Sequence, residues 1–223
     1  MLYDQVISRL KSQYNPKNIE GMERFGISTK NTLGISVVAL RGMAKDIGKD
    51  HDLAKRLWSS GIHEARILAP MIEEVEKVTA KQMDKWTEDF DSWDICDQCC
   101  GNLFDKTSYA YEKAVTWSRD DREFVRRAGY VMMAALSVHD KKAEDSRFIE
   151  FLPIIKRGAT DERNFVKKAV NWALRQIGKR NKRLNKLAIE AAREIKAMDS
   201  VSARWIASDA LRELTSEGVR GRL

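Results

Sequence analysis

The strongest constraint on this chain of 223 residues is an internal repeat. An apolar residue is followed three positions later by a small one, and four beyond that by another small or flexible one: Ile62/Ala65/Ala69, Trp93/Cys96/Cys100, Val125/Ala128/Met132, Val166/Ala169/Ala173 and, more weakly, Ser200/Ala203/Ala207. The central residue recurs at intervals of 31, 32, 41 and 34, the periods of stacked helix pairs. Small residues at i and i+4 share one helix face and let a neighbouring helix approach closely, so each phrase marks one packed helix per repeat. Further helical patterns, Ser36–Ile47, Ala80–Phe90, Thr107–Trp117, Phe148–Lys156 and Arg183–Lys196, lie between them, with breaks expected at Gly48, Gly101, Gly158 and Gly178. The expectation is an all-α chain, a solenoid of roughly six helical pairs curved around a concave face and forming a single domain over residues 1–223.

Composition agrees. Three prolines and twelve glycines are too few for a turn-rich β protein, while helix-favouring residues are plentiful. No apolar run approaches the 18 residues of a membrane span and the first residues lack a signal-peptide pattern, so a cytoplasmic protein with no membrane partner is expected. Cys96, Cys99 and Cys100 crowd into five positions, two of them in columns that other repeats fill with alanine, and His51, His63 and His139 show no metal-ligand spacing. Reduced packing thiols follow, and neither a metal nor another cofactor is expected.

The formal charge of +7 is unevenly spread: residues 151–190 carry eleven Lys/Arg against three Asp/Glu. Such a block suits a polyanion partner or a solvated helix face. The Gly-x-Ser-x-Gly, phosphate-loop and dinucleotide glycine patterns are missing, which leaves carboxylates and aromatics as the carriers of chemistry. Trp93 and Asp97 stand four apart and share a helix face, either as an amphipathic indole beside a solvated carboxylate or as part of a cleft. Trp58, Trp86, Trp117 and Trp205 sit among apolar helical positions and read as core.

Three segments, Ser92-Trp93-Asp94-Ile95-Cys96-Asp97, Phe124-Val125-Arg126-Arg127-Ala128 and Val166 through Arg175, together with Leu33-Gly34-Ile35 upstream, resemble in order and spacing the signature segments of the AlkD-like alkylpurine DNA glycosylases. That family has a HEAT-like repeat fold. The resemblance implies that Asp97 is the catalytic carboxylate, that Trp93 and Trp172 are indoles lining the lesion cleft, and that Arg127 holds the DNA backbone. Arg175 falls at a basic DNA contact, while Lys168 reads equally as a phosphate contact or a solvated lysine. The stretch Gly21–Ile27 departs from the family by compression, and neither Tyr3 nor Tyr14 matches its tyrosine there.

The implied activity is hydrolysis of N3- or N7-alkylated purines from duplex DNA, without strand cleavage and without a pocket for an extruded base. The residue types suit it. Alkylation makes the purine a better leaving group, a carboxylate near the sugar stabilises developing oxocarbenium charge and orients water, and indole faces attract the same cation. With 100° per residue, Trp93 and Asp97 lie at about +60° and +100° from their phrase centre, but Arg127 and Trp172 at about −100° and −60°. Their convergence is therefore an implication of the resemblance. A non-catalytic relative that binds branched or damaged DNA, and a protein-interaction scaffold, are the rival expectations. A chain with one continuous DNA-binding face has no need of a second subunit, so a monomer is expected.

Overall fold

The computed structural model describes residues 1–223 as fifteen α-helices and two 3-10 turns, with no strand. The chain divides into two compact units, residues 1–107 and 108–223. The first holds α1 (Tyr3–Lys11), α2 (Pro16–Arg24), α3 (Val37–Ile47), α4 (His51–Ser59), α5 (His63–Ile72), α6 (Ala80–Glu88) and α7 (Trp93–Asn102). The second holds α8 (Ala110–Trp117), α9 (Glu123–His139), α10 (Asp145–Ile149), α11 (Phe151–Gly158), α12 (Asn164–Gly178), α13 (Lys182–Lys196), α14 (Val201–Leu214) and α15 (Glu217–Arg220).

Local chemistry sets many helix starts. Asn15, Ser36, Asp50, Thr79, Asn181 and Ser200 each accept a hydrogen bond from the backbone N–H three residues on, an N-cap worth about 1 kcal/mol. Gly48 closes α3 at φ +78°, in the region that glycine enters without strain.

The five repeat phrases occupy α5, α7, α9, α12 and α14, and their paired small or flexible residues, from Ala65 and Ala69 to Ala203 and Ala207, are fully buried. Within the first unit α5 packs on α3, α4 and α7; within the second α9 packs on α8 and α12, and α12 on α14. Stacking of phrase-bearing helices upon each other is what the small columns permit.

Several expectations need correction. Gly101 does not break a helix but lies inside α7, one residue before its end. The Phe148–Lys156 pattern is two helices, α10 and α11, with Pro153 in the first turn of α11; its ring nitrogen carries no hydrogen to donate to the carbonyl four residues back, so one continuous helix fails there. Helices α1 to α3 carry no repeat phrase. Trp58, Trp86 and Trp117 are buried, the first two stacked with ring centroids 4.2 Å apart, but Trp205 is 42% exposed. Its ring lies under the Lys167 ammonium, 5.1 Å from the centroid.

Candidate functional site

Helix α7 places Trp93 and Asp97 one turn apart, both half-buried, while Ile95, Cys96, Cys99 and Cys100 face the interior with no exposure beyond 1%. Burial holds the Cys99 and Cys100 thiols well above their ordinary range, and the neighbouring Asp97 charge pushes Cys100 the same way. They are neutral packing groups and poor nucleophiles.

The start of α7 is fixed by buried charge. Asp94 accepts from His63 Nε2 at 2.8 Å, from Ser92 Oγ and from the Ile95 N–H. Burial works against both charges, yet their mutual hydrogen bond and attraction outweigh it: the His63 pKa is raised and that of Asp94 lowered. The pair is an ionised bridge joining α5 to α7, and it sets the rotation at which α7 presents Trp93 and Asp97.

Trp93 Nε1 donates to the Phe25 carbonyl at 3.1 Å, and the indole lines a groove of about 420 Å³ with Met22, Phe25, Gly34, Ile35 and Gln98. The groove owes its floor to Glu64. This carboxylate has no exposed surface and accepts three backbone N–H groups, from Leu33 (2.8 Å), Gly34 (2.7 Å) and Ile35 (3.2 Å). Gly34 has φ +78°, and a Cβ there would lie 2.2 Å from the Asn15 carbonyl oxygen. The Leu33-Gly34-Ile35 segment is thus a strap clamped between α2 and α5. The N-terminal wall comes from Met22 and Phe25; Tyr14 is exposed, and Tyr3 stacks beneath the Arg56 guanidinium.

The other predicted residues belong to the second unit. Arg127, on α9, is only 5% exposed, and its Nη1 donates to the Phe165 carbonyl at 2.6 Å, tying α9 to the start of α12. Lys168, Trp172 and Arg175 follow one another at intervals of four and three along α12. Lys168 is exposed; Trp172 is half-buried with its Nε1 2.9 Å from the Gln176 amide. Arg175 bonds to Glu213 and lies 3.7 Å from Asp209, both on α14, and Lys179 shares Glu213 at 2.6 Å. These cations hold Glu213 below the usual carboxylate range against the opposing effect of its burial. Arg175 therefore meets two carboxylates of its own chain, whereas Lys168 meets solvent. Glu64, His63, Asp94 and Phe25 are the site's unforeseen supports.

A profile described as a DNA alkylation repair enzyme matches residues 6–214. The chain belongs to that family. Among solved structures, one from proteins described as a new family related to the HEAT-like repeat DNA glycosylases with affinity for branched DNA structures is similar at 20% identity. The match covers 100% of this chain and 96% of that one with a TM-score of 0.82, which shows the HEAT-like repeat fold. An engineered protein (14% identity, 89% of this chain and 97% of that one, TM-score 0.40) and a designed armadillo repeat protein (15%, 80% and 92%, 0.36) also align. No curated protein matches. No helix of the family member is long and apolar enough to cross a membrane.

Proposed function

We propose that the chain is a monofunctional DNA glycosylase that hydrolyses N3- or N7-alkylated purines from duplex DNA and leaves an abasic site. The observation that carries this reading is the pairing of Trp93 and Asp97 on a helix whose adjoining face is locked by buried thiols and whose first turn is held by the His63–Asp94 bridge. A carboxylate on so firm a backbone needs little reorganisation to meet charge developing on a sugar, the condition under which electrostatic stabilisation is most effective. In this mechanism Asp97 stabilises the oxocarbenium ion as the glycosidic bond breaks and orients the water that completes hydrolysis. The faces of Trp93 and Trp172 strengthen their hold as positive charge appears. Arg127, Lys168 and Arg175 act on the DNA backbone, Arg175 through the N–H groups that its Glu213 pairing leaves over. The lesion's own charge then supplies much of the discrimination.

The direct test is release of 7-methylguanine and 3-methyladenine from methylated duplex DNA. Wild type is expected to release both, and Asp97→Asn to be slower by about 100-fold or more with an unchanged melting temperature. No release above buffer by wild type would sink the enzyme, and equal release by the two would sink the role of Asp97. A second reading, non-catalytic binding of branched DNA, is favoured by the description of the structurally similar family. It predicts tighter binding to a four-way junction than to a duplex of equal length, with no base release.

A further inference from the structure

Within the second unit, the end of α8, the first half of α9 and the end of α11 enclose a recess of about 210 Å³ lined by Ser118, Arg119, Arg126, Tyr130, Arg157 and Gly158, among others, with no carboxylate in its wall. Tyr130 is 98% buried, its relative exposure being only 2%, and its hydroxyl makes no hydrogen bond within the protein although it borders the recess. The hydroxyl oxygen is the part of the side chain left open to the recess, so its partner comes from there. The hydroxyl reaches this place because residue 158 is glycine: a Cβ there would lie 2.0 Å from the Tyr130 oxygen.

The guanidiniums around it differ in what they already hold. Arg126 is engaged, donating to the Asp120 carbonyl at 2.8 Å and to Asp161 at 2.9 Å, and Arg163 shares Asp161. Arg119 and Arg157 are exposed, and neither forms a salt bridge. Ser118 Oγ spends its hydrogen on the Val115 carbonyl. The recess thus gathers two uncommitted guanidiniums and one uncommitted hydroxyl, all donors, with Arg126 behind them. Burial pushes the Tyr130 pKa up to about 12, so the hydroxyl keeps its proton at neutral pH and serves as a donor. A tetrahedral oxyanion satisfies such a set, with guanidinium forks matching its oxygens.

We infer that Arg119, Arg157 and the Tyr130 hydroxyl form a binding site for an internal phosphodiester of duplex DNA, additional to Arg127, Lys168 and Arg175. The inference rests on the reading that the chain binds DNA, but not on base release. Each neutralised phosphate sets free condensed counterions, so the site contributes to the salt dependence of binding as well as to affinity.

The test is fluorescence anisotropy of the full chain on an unmodified duplex with 5′-hydroxyl ends, titrated with salt. The Arg119→Ala/Arg157→Ala variant is expected to bind about 10-fold more weakly at low salt and to lower the salt slope by about 1. Tyr130→Phe, which keeps the ring and its packing, is expected to weaken binding roughly 3- to 10-fold, and to do nothing further on the Arg119→Ala/Arg157→Ala background. Wild-type affinity and slope in the double variant would overturn the inference, as would a Tyr130→Phe effect that persists undiminished without the arginines. If the variants differ from wild type only on a 5′-phosphorylated duplex, the site takes a terminal phosphate and the internal assignment fails. Because the DNA is undamaged, this readout does not depend on base release: a chain that binds as expected here but releases no base from methylated duplex DNA leaves this site standing and removes the glycosylase.

Discussion

Glu64 is the residue whose loss the fold should tolerate least. Its carboxylate answers three N–H groups of a strap about thirty residues earlier in the chain, with no exposure to water. Glu64→Gln replaces one acceptor oxygen with a donor aimed at donors, and the expected cost is about 2–4 kcal/mol, read as a lower urea midpoint. An unchanged midpoint would mean that the strap holds without it. The His63–Asp94 bridge makes a second prediction, in pH. The raised His63 pKa gives a contribution fully present below the ordinary value of 6.5 and lost as pH rises through the higher folded one. The lowered Asp94 pKa gives one fully present above 3.8 and lost as pH falls through the lower folded one. The stability difference between wild type and Asp94→Asn should therefore be greatest between about pH 4 and 6.5, and shrink on the alkaline side as His63 loses its proton. A difference that stays constant from pH 5 to 9 would contradict an ionised bridge. Neither residue stands out in the sequence, because a helical carboxylate reads alike whether it meets water or a distant loop.

At the scale of the helix, the small-residue columns were the most legible part of the chain, since a steric requirement repeated five times leaves a periodic trace. That logic placed Cys96 and Cys100 in the core as spacers, and both have no exposure. It did not place helix ends, which depend on single residues such as Pro153, and it misread Trp205, whose apolar helical neighbours do not cover it. A spacer tolerates contraction better than expansion. Cys100→Ala should cost no more than about 1 kcal/mol, whereas Cys100→Leu should cost about 1–3 kcal/mol by forcing extra volume into a position with no exposure. Equal melting temperatures for the two variants would show that the column is loosely packed. Gly129 imposes the same limit on α8 and α9. A Cβ at that position would lie 2.3 Å from the Ser118 backbone nitrogen, so Gly129→Ala should destabilise the second unit more than Gly42→Ala, where nothing lies within 4 Å, affects the first.

For the whole molecule, the sequence counts cations but cannot say which are already spent. Of the eleven in residues 151–190, Lys156, Arg163, Arg175, Lys179 and Arg183 face carboxylates of the same chain, and Arg180 donates to the Ser137 and Ala143 carbonyls. Arg157, Lys167, Lys168, Lys182 and Lys186 remain, and Arg119 joins them from outside the segment. A charge count alone predicts a salt slope near −10, at about 0.9 per neutralised phosphate; six uncommitted cations that meet five phosphates, because Arg119 and Arg157 share one, predict a slope of about −5. Raising monovalent salt from 50 to 200 mM should then weaken duplex binding by about 10³-fold and not by about 10⁶-fold. A slope near −10 would mean that binding strips Arg175 and Lys179 from Glu213 and Arg163 from Asp161. Those pairs would then be exchangeable counterions supplied by the protein itself, and Glu213→Gln would strengthen DNA binding. At a slope of −5 the same substitution should leave binding unchanged and act only on stability, because the α12–α14 pairing stays intact in the complex.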